Sequence, residues 1–229
     1  MEELKKIVEE FRENEVAPYG NLPKETRYYI SFAVLTTVGT PNVLGQEVSK
    51  ALSEDITPES ISESIMQCTP YVGYPKAMEA LEKAEEAMKQ SGVSLPLQNR
   101  GTVSANTRLE KGLAAQYAIF GQEAIDSNRN NALPELRHIQ EYLSDYCFGD
   151  FYTRNEIDLK TRELLTFCIL CAMGGCEPQL KAHIAGNLQI GNDRTTLLSA
   201  LTWCIPYIGF PRTLNAVSCI NEITKEADK

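Results

Sequence analysis

One feature restricts the fold of this 229-residue chain more than any other: a long stretch of it occurs twice. The segment TRYYISFAVLTTVGTPNVLGQEVSKALSEDITPESISESIMQCTPYVGYP, from Thr26, aligns with TRELLTFCILCAMGGCEPQLKAHIAGNLQIGNDRTTLLSALTWCIPYIGFP, from Thr161. One extra residue falls in the second copy. Thr26/Thr161, Arg27/Arg162, Leu35/Leu170 and Gly39/Gly174 match before it, and Leu52/Leu188, Cys68/Cys204, Pro70/Pro206, Tyr71/Tyr207, Gly73/Gly209 and Pro75/Pro211 match after it. Each copy has an apolar-periodic segment upstream, with Leu4, Ile7, Val8 and Phe11 in the first and Leu136, Ile139 and Leu143 in the second. Such self-similarity means that one supersecondary unit is built twice. The chain therefore divides into a first module at residues 1–92 and a second at 93–229, with the join between Ser91 and Val103.

Each module reads as helical. Thr57 is placed to cap a helix that has Pro58 at its first position and Ile61, Ile65 and Cys68 recurring at helical spacing. ISFAVLTTVG alone is short enough to pass for a buried strand. Its repeat mate TRELLTFCILCAMGG decides the matter, because it opens with helix formers, runs for more than ten residues and stops at Gly174-Gly175. The predicted fold is all-α, two tandem helical bundles of about five or six helices each.

Composition removes several function classes. Twenty-two Lys+Arg against 31 Asp+Glu leave a net charge of −9, and no basic run is present to neutralise phosphates, so nucleic acid is not an expected partner. The longest apolar stretches fall short of the ~20 residues of a membrane span. With the charged start MEELKKIVEEF, a cytoplasmic location without membrane contact is expected. The seven cysteines are read as reduced thiols.

The copies differ most where chemistry is plausible. GGCEPQLKAHIAG carries Cys176 and His183, whereas the first copy has Pro41 at the Cys176 position and Glu47 or Val48 at the His183 position. With Pro178 in the first turn of a helix, Cys176 stands at its N-terminal end, where unpaired N–H groups favour a thiolate; it reads equally as an inert, buried small hydrophobe. His183, seven residues on, shares a helix face with Cys176, with Gln179 between them. The imidazole is the natural proton carrier near neutral pH. Glu163 opens the preceding apolar helix as a second candidate proton carrier. Its neighbour Arg162 reads either as a structural ion pair or as a carboxylate clamp. Gln179, Arg162 and Tyr207 complete the candidate substrate contacts. Cys168 and Cys171 lie inside an apolar helical run rather than a polar turn, so a zinc set with Cys176 and His183 is not expected. His138 reads as a surface residue.

Four ordered blocks, RLEKGLAAQYAIFGQEAI, FGDFYTRNEIDLKTRELLTF, GGCEPQLKAHIAGNLQIGN and PYIGFPRTLNA, resemble the carboxymuconolactone decarboxylase family over residues 107–226. Residues 1–90 resemble it more weakly. The resemblance implies an alkylhydroperoxidase D-like all-α fold and assembly into a homo-oligomer, here a trimer of two-module chains. It implies a cofactor-independent decarboxylase of a small lactone carboxylate, with His183 or Glu163 as the proton carrier. The alkylhydroperoxidase D branch implies instead a thiol-dependent hydroperoxide reductase using Cys176, His183 and Glu163, although Gln179 stands where that branch has its second cysteine. A third reading, a helical scaffold without catalysis, arises because the first module lacks both Cys176 and His183 equivalents.

Overall fold

A computed structural model describes residues 2–227, which are mostly helical, with no β-strand among the described residues. The first module comprises α1 (Glu2–Phe11), a π-helical turn (Arg12–Val16), α2 (Lys24–Val38), α3 (Pro41–Ser53), α4 (Pro58–Met66), α5 (Thr69–Val72) and α6 (Tyr74–Gln90). Two helices without counterparts follow, α7 (Arg108–Phe120) and α8 (Gln122–Asn130). The second copy runs through α9 (Arg137–Tyr142), a π-helical segment (Leu143–Tyr152), α10 (Leu159–Met173), α11 (Glu177–Gln189) and α12 (Arg194–Ala227).

The repeat carries into local geometry. As predicted, ISFAVLTTVG lies within a helix, α2, and the Thr57 side chain caps α4 by accepting from Ser60 N–H at 3.2 Å. Helix α12 is kinked at Gly209, whose φ of 73° is open to glycine and strained for other residues; Gly73, its mate, has φ 84° at the α5–α6 break. Thr40 and Cys176 both stand at N-caps, so Thr40 rather than Pro41 is the structural counterpart of Cys176, and Glu47 that of His183.

The modules share a core. Leu22, Ile30, Ala33, Val34 and Cys68 of the first copy pack with Leu164, Leu165, Phe167, Cys168, Cys171, Cys204 and Ile220 of the second. A separate cluster fills the first module around Phe32, Leu44, Val48, Ile61 and Met88, and Val93, Leu95 and Leu97 of the connecting segment lie against it. The contacts across the join are reciprocal. Arg162 Nε donates to the Ile157 carbonyl and Arg27 Nε to the Leu22 carbonyl, both at 3.1 Å. Arg162 also donates to Gln67 of the first copy, whereas Arg27 lies 5.4 Å from the ring centre of Trp203, the residue in the second copy that matches Gln67.

The upstream segments do not fill the core. Leu4, Ile7 and Val8 on α1 are exposed, as are their counterparts Ile139, Tyr142 and Leu143. These stripes leave an apolar face on each copy unpartnered within the chain.

Candidate functional site

Helix α11 brings His183 to the floor of a cavity of about 800 Å³, toward the upper end of the roughly 300–1,000 Å³ usual for small-molecule sites. Its walls are largely apolar and aromatic, including Tyr71, Ile119, Phe120, Tyr142, Tyr146 and Phe148. His183 Nδ1 lies 2.7 Å from Glu163 Oε1, and the rings of Tyr71 and Phe120 meet the imidazole edge-on at 6.1 and 5.3 Å. Because Nδ1 is committed to Glu163, Nε2 is the nitrogen left to exchange a proton with a ligand. Glu163 is fully buried on α10 and does not line the cavity. It orients the imidazole from behind.

A chain of hydrogen bonds supports that carboxylate. Gln67 Nε2 donates to Thr166 Oγ1 at 3.3 Å, the Thr166 hydroxyl donates to the Arg162 carbonyl at 3.1 Å and its oxygen lies 2.5 Å from the Tyr152 hydroxyl, and Tyr71 donates to Tyr152 at 2.6 Å. Tyr152 then donates to Glu163 Oε2 at 3.3 Å. Burial, with Glu163 and Cys147 nearby, holds both phenols well above their usual pKa, so both remain neutral donors. Cys147, against Tyr71 at 3.9 Å, is likewise a protonated thiol, pushed up to about 12 by burial. Gly186 makes the arrangement sterically possible. A Cβ there would fall 2.6 Å from Ile119 Cγ2 and 2.9 Å from Glu163 Oε1.

The predicted site residues separate into three places. His183 and Gln179 line the cavity, with Glu163 directly behind. Arg162 does not reach it. Its guanidinium is fully buried and donates to Glu63 Oε2 at 2.9 Å, Gln67 Oε1 at 3.0 Å and the carbonyls of Ile157, Arg154 and Asn155. Arg154 also binds Glu63, through three hydrogen bonds of 2.8–3.0 Å. Of the two readings of Arg162, the geometry is that of the ion pair, tied to the site only through Gln67 and the hydroxyl chain.

Cys176 lies in a separate crevice with Gly174, Gly175 and Arg212, and Leu170 borders both spaces. The expected shared face assumed helical dihedrals at Cys176. At the N-cap its φ of −132° and ψ of 41° turn the thiol back to the Leu170 carbonyl at 3.5 Å. Of the reactive and the inert thiol, these surroundings favour the inert one: burial, then Glu177 and Cys219, push its pKa up. Cys168 and Cys171 are buried in the shared core, and no metal-ligating cluster occurs among the described residues.

Tyr207 faces the first module. Its hydroxyl lies 3.2 Å from Ser31 Oγ, beside Arg12 and Glu47. This is the repeat-related counterpart of the His183 site, with Glu47 for His183, Tyr28 for Glu163, Ser31 for Thr166, Arg12 for Cys147 and Tyr207 for Tyr71. A charged cavity of about 140 Å³ remains there, lined by Arg12, Arg27, Tyr28 and Glu47. The tyrosine reaching each site comes from the other copy. Tyr71 was therefore available in the sequence as the repeat mate of Tyr207. Gln116, Phe120 and Tyr152 lay inside the quoted blocks and Cys147 just ahead of one, but nothing in their spacing aimed them at His183.

The all-α tandem bundle thus sets a histidine–carboxylate pair beneath an apolar cavity that Pro70 and Tyr71 of the first copy help to line. The family model for the carboxymuconolactone decarboxylase family matches residues 2–86 and 137–222, and the chain belongs to that family. It is 27% identical over 119 residues to the 4-carboxymuconolactone decarboxylase of Acinetobacter baylyi, covering 52% of this chain and 88% of the relative. It is 24% identical over 108 residues to the nitrosuccinic acid decarboxylase npaB of Metarhizium robertsii, covering 47% and 75% respectively. Among the described residues, no helix is long and apolar enough to cross a membrane.

Proposed function

We propose that this chain is a decarboxylase of a small organic acid bearing a carbonyl or lactone group beside the departing carboxylate. The observation that carries this reading is the 2.7 Å His183–Glu163 pair under an apolar cavity. An imidazolium paired with a carboxylate is neutral overall, so a proton can be held on Nε2 without an uncompensated charge beneath the cavity. When the C–C bond to the carboxylate breaks, CO2 leaves and the electron pair passes into the neighbouring carbonyl as an enolate. His183 Nε2 then delivers its proton to carbon and is reprotonated from solvent. Apolar walls favour loss of the charged group, since little there solvates it. Glu163 is a positioning residue that sustains the imidazolium, and Tyr152 fixes Glu163.

The exposed apolar stripes of α1 and α9 support association into a homo-oligomer, a trimer of two-module chains. Sedimentation showing a monomer at micromolar concentration contradicts that part. The activity is tested by incubating the protein with β-carbonyl and lactone carboxylates and following CO2 release. Turnover lost in His183→Ala and kept in Cys176→Ser is the expected result. Turnover that survives His183→Ala, or no turnover with any such acid, overturns the proposal.

A further inference from the structure

Among the described residues bordering the cavity, Gln116 holds a buried polar atom that the protein leaves without a partner. It lies on α7, outside the two family-matched segments, and is only 2% exposed. Its Oε1 is buried without a hydrogen-bond partner, and it borders the same cavity as His183. Burying an amide unpaired is unfavourable, and nearly all such groups find a partner. Packing holds the helix that carries it: Gly112 on α7 and Gly149 on the π-helical segment let the two backbones approach, and Arg108 pairs with Asp145 and Asp150 at 2.9 and 3.0 Å. The unpaired amide is thus fixed in place.

The other polar side chains bordering the cavity are also neutral: besides the His183 imidazole they are carboxamides, phenols and a thiol. The two arginines adjoining the site in sequence and repeat, Arg162 and Arg27, are engaged elsewhere. A second carboxylate on the substrate would find in this space no cation besides the His183 imidazolium, whose charge Glu163 already balances. A neutral hydroxyl would instead find the unpaired Gln116 Oε1 as its acceptor.

Resting on the decarboxylase reading, we infer that the substrate is a singly charged acid with an apolar body, and that Gln116 Oε1 accepts a hydrogen bond from its neutral hydroxyl group. The carboxylate that leaves is then the only charge the substrate carries.

Calorimetric titration of the full chain with unreactive probes tests this without requiring turnover. The probes are 3-hydroxy-3-phenylpropionate, 3-phenylpropionate and the 4-carboxyphenyl derivative of the first. The hydroxy acid should bind about tenfold tighter than the acid lacking the hydroxyl, as expected for one hydrogen bond to a site left unpaired otherwise. The added carboxylate should weaken binding at least about tenfold. Gln116→Leu should erase the preference for the hydroxyl while leaving 3-phenylpropionate affinity unchanged, and Gln116→Met should repeat this if the leucine variant folds poorly. A hydroxyl preference that persists in both variants, or tighter binding of the dicarboxylate, overturns the inference. The same pattern in His183→Ala supports it even where CO2 release fails, so the two readings fail separately.

Discussion

Glu63 is where the structure makes its largest energetic claim. Its carboxylate is the counter-charge for two guanidinium groups, Arg162 on α10 and Arg154 ahead of it, and both Arg162 and Glu63 are almost wholly withdrawn from solvent, at 0% and 3% side-chain exposure. In Glu63→Gln the shape is kept and one amide oxygen can still accept, but the charge is gone. Breaking a buried pair from one side costs about 3–5 kcal/mol, because the remaining charge is left uncompensated. A domain of this kind has roughly 5–15 kcal/mol in total. At about 2–4 °C per kcal/mol for 150–250 residues, the midpoint should fall by about 6–20 °C. Thermal unfolding followed by far-ultraviolet circular dichroism reads this directly. Adding Arg162→Met to Glu63→Leu should recover part of the loss relative to either single change, since both charges then disappear together. A midpoint shift below about 2 °C for Glu63→Gln refutes the reasoning. So does an Arg162→Lys protein that melts normally but has a raised KM, because that is the behaviour of a substrate clamp.

Gly186→Ala gains about 1 kcal/mol in helix propensity but places a methyl 2.9 Å from Glu163 Oε1. The melting point should change little while CO2 release drops at least about tenfold through misplacement of the His183–Glu163 pair; unchanged turnover contradicts this. Tyr71→Phe should lower turnover about three- to tenfold by removing a donor to Tyr152, whereas Tyr207→Phe should leave it unaltered. Equal effects from the two changes would dismiss the exchange of tyrosines between copies. Because burial and Glu177 raise the Cys176 pKa, its thiolate fraction at neutral pH is small and rises only as pH passes the shifted value. Alkylation of Cys176, followed by mass spectrometry, should therefore stay slow at pH 7 and accelerate only at a pH above that needed for a free cysteine peptide. Rapid labelling at pH 7 would restore the hydroperoxide reading.

The repeat made most of the fold legible. It turned an ambiguous apolar run at Ile30–Gly39 into a helix. His183 was legible because a histidine stood where the first copy has none, and Gln179 because it is one turn away on a true helix. Cys176 misled because the helix-face argument was carried one residue too far, onto a cap whose backbone is not helical. Arg162 left two readings open, since only the fold shows that Glu63, 99 residues earlier, lies against it. Tyr207 was placed by sequence proximity within its own copy, whereas packing crosses the copies and delivers Tyr71 instead.

That crossing has a consequence for how such a chain can diversify. Were the two modules separate identical subunits related by a two-fold axis, every substitution at their contact would occur twice, once in each symmetry-related site. Joined in one polypeptide, the halves are released from that constraint. One contact can hold a neutral, apolar space above His183 while the other becomes a small charged space around Arg12 and Glu47. Fusion thus allows one fold, paired with itself, to carry two unlike pockets.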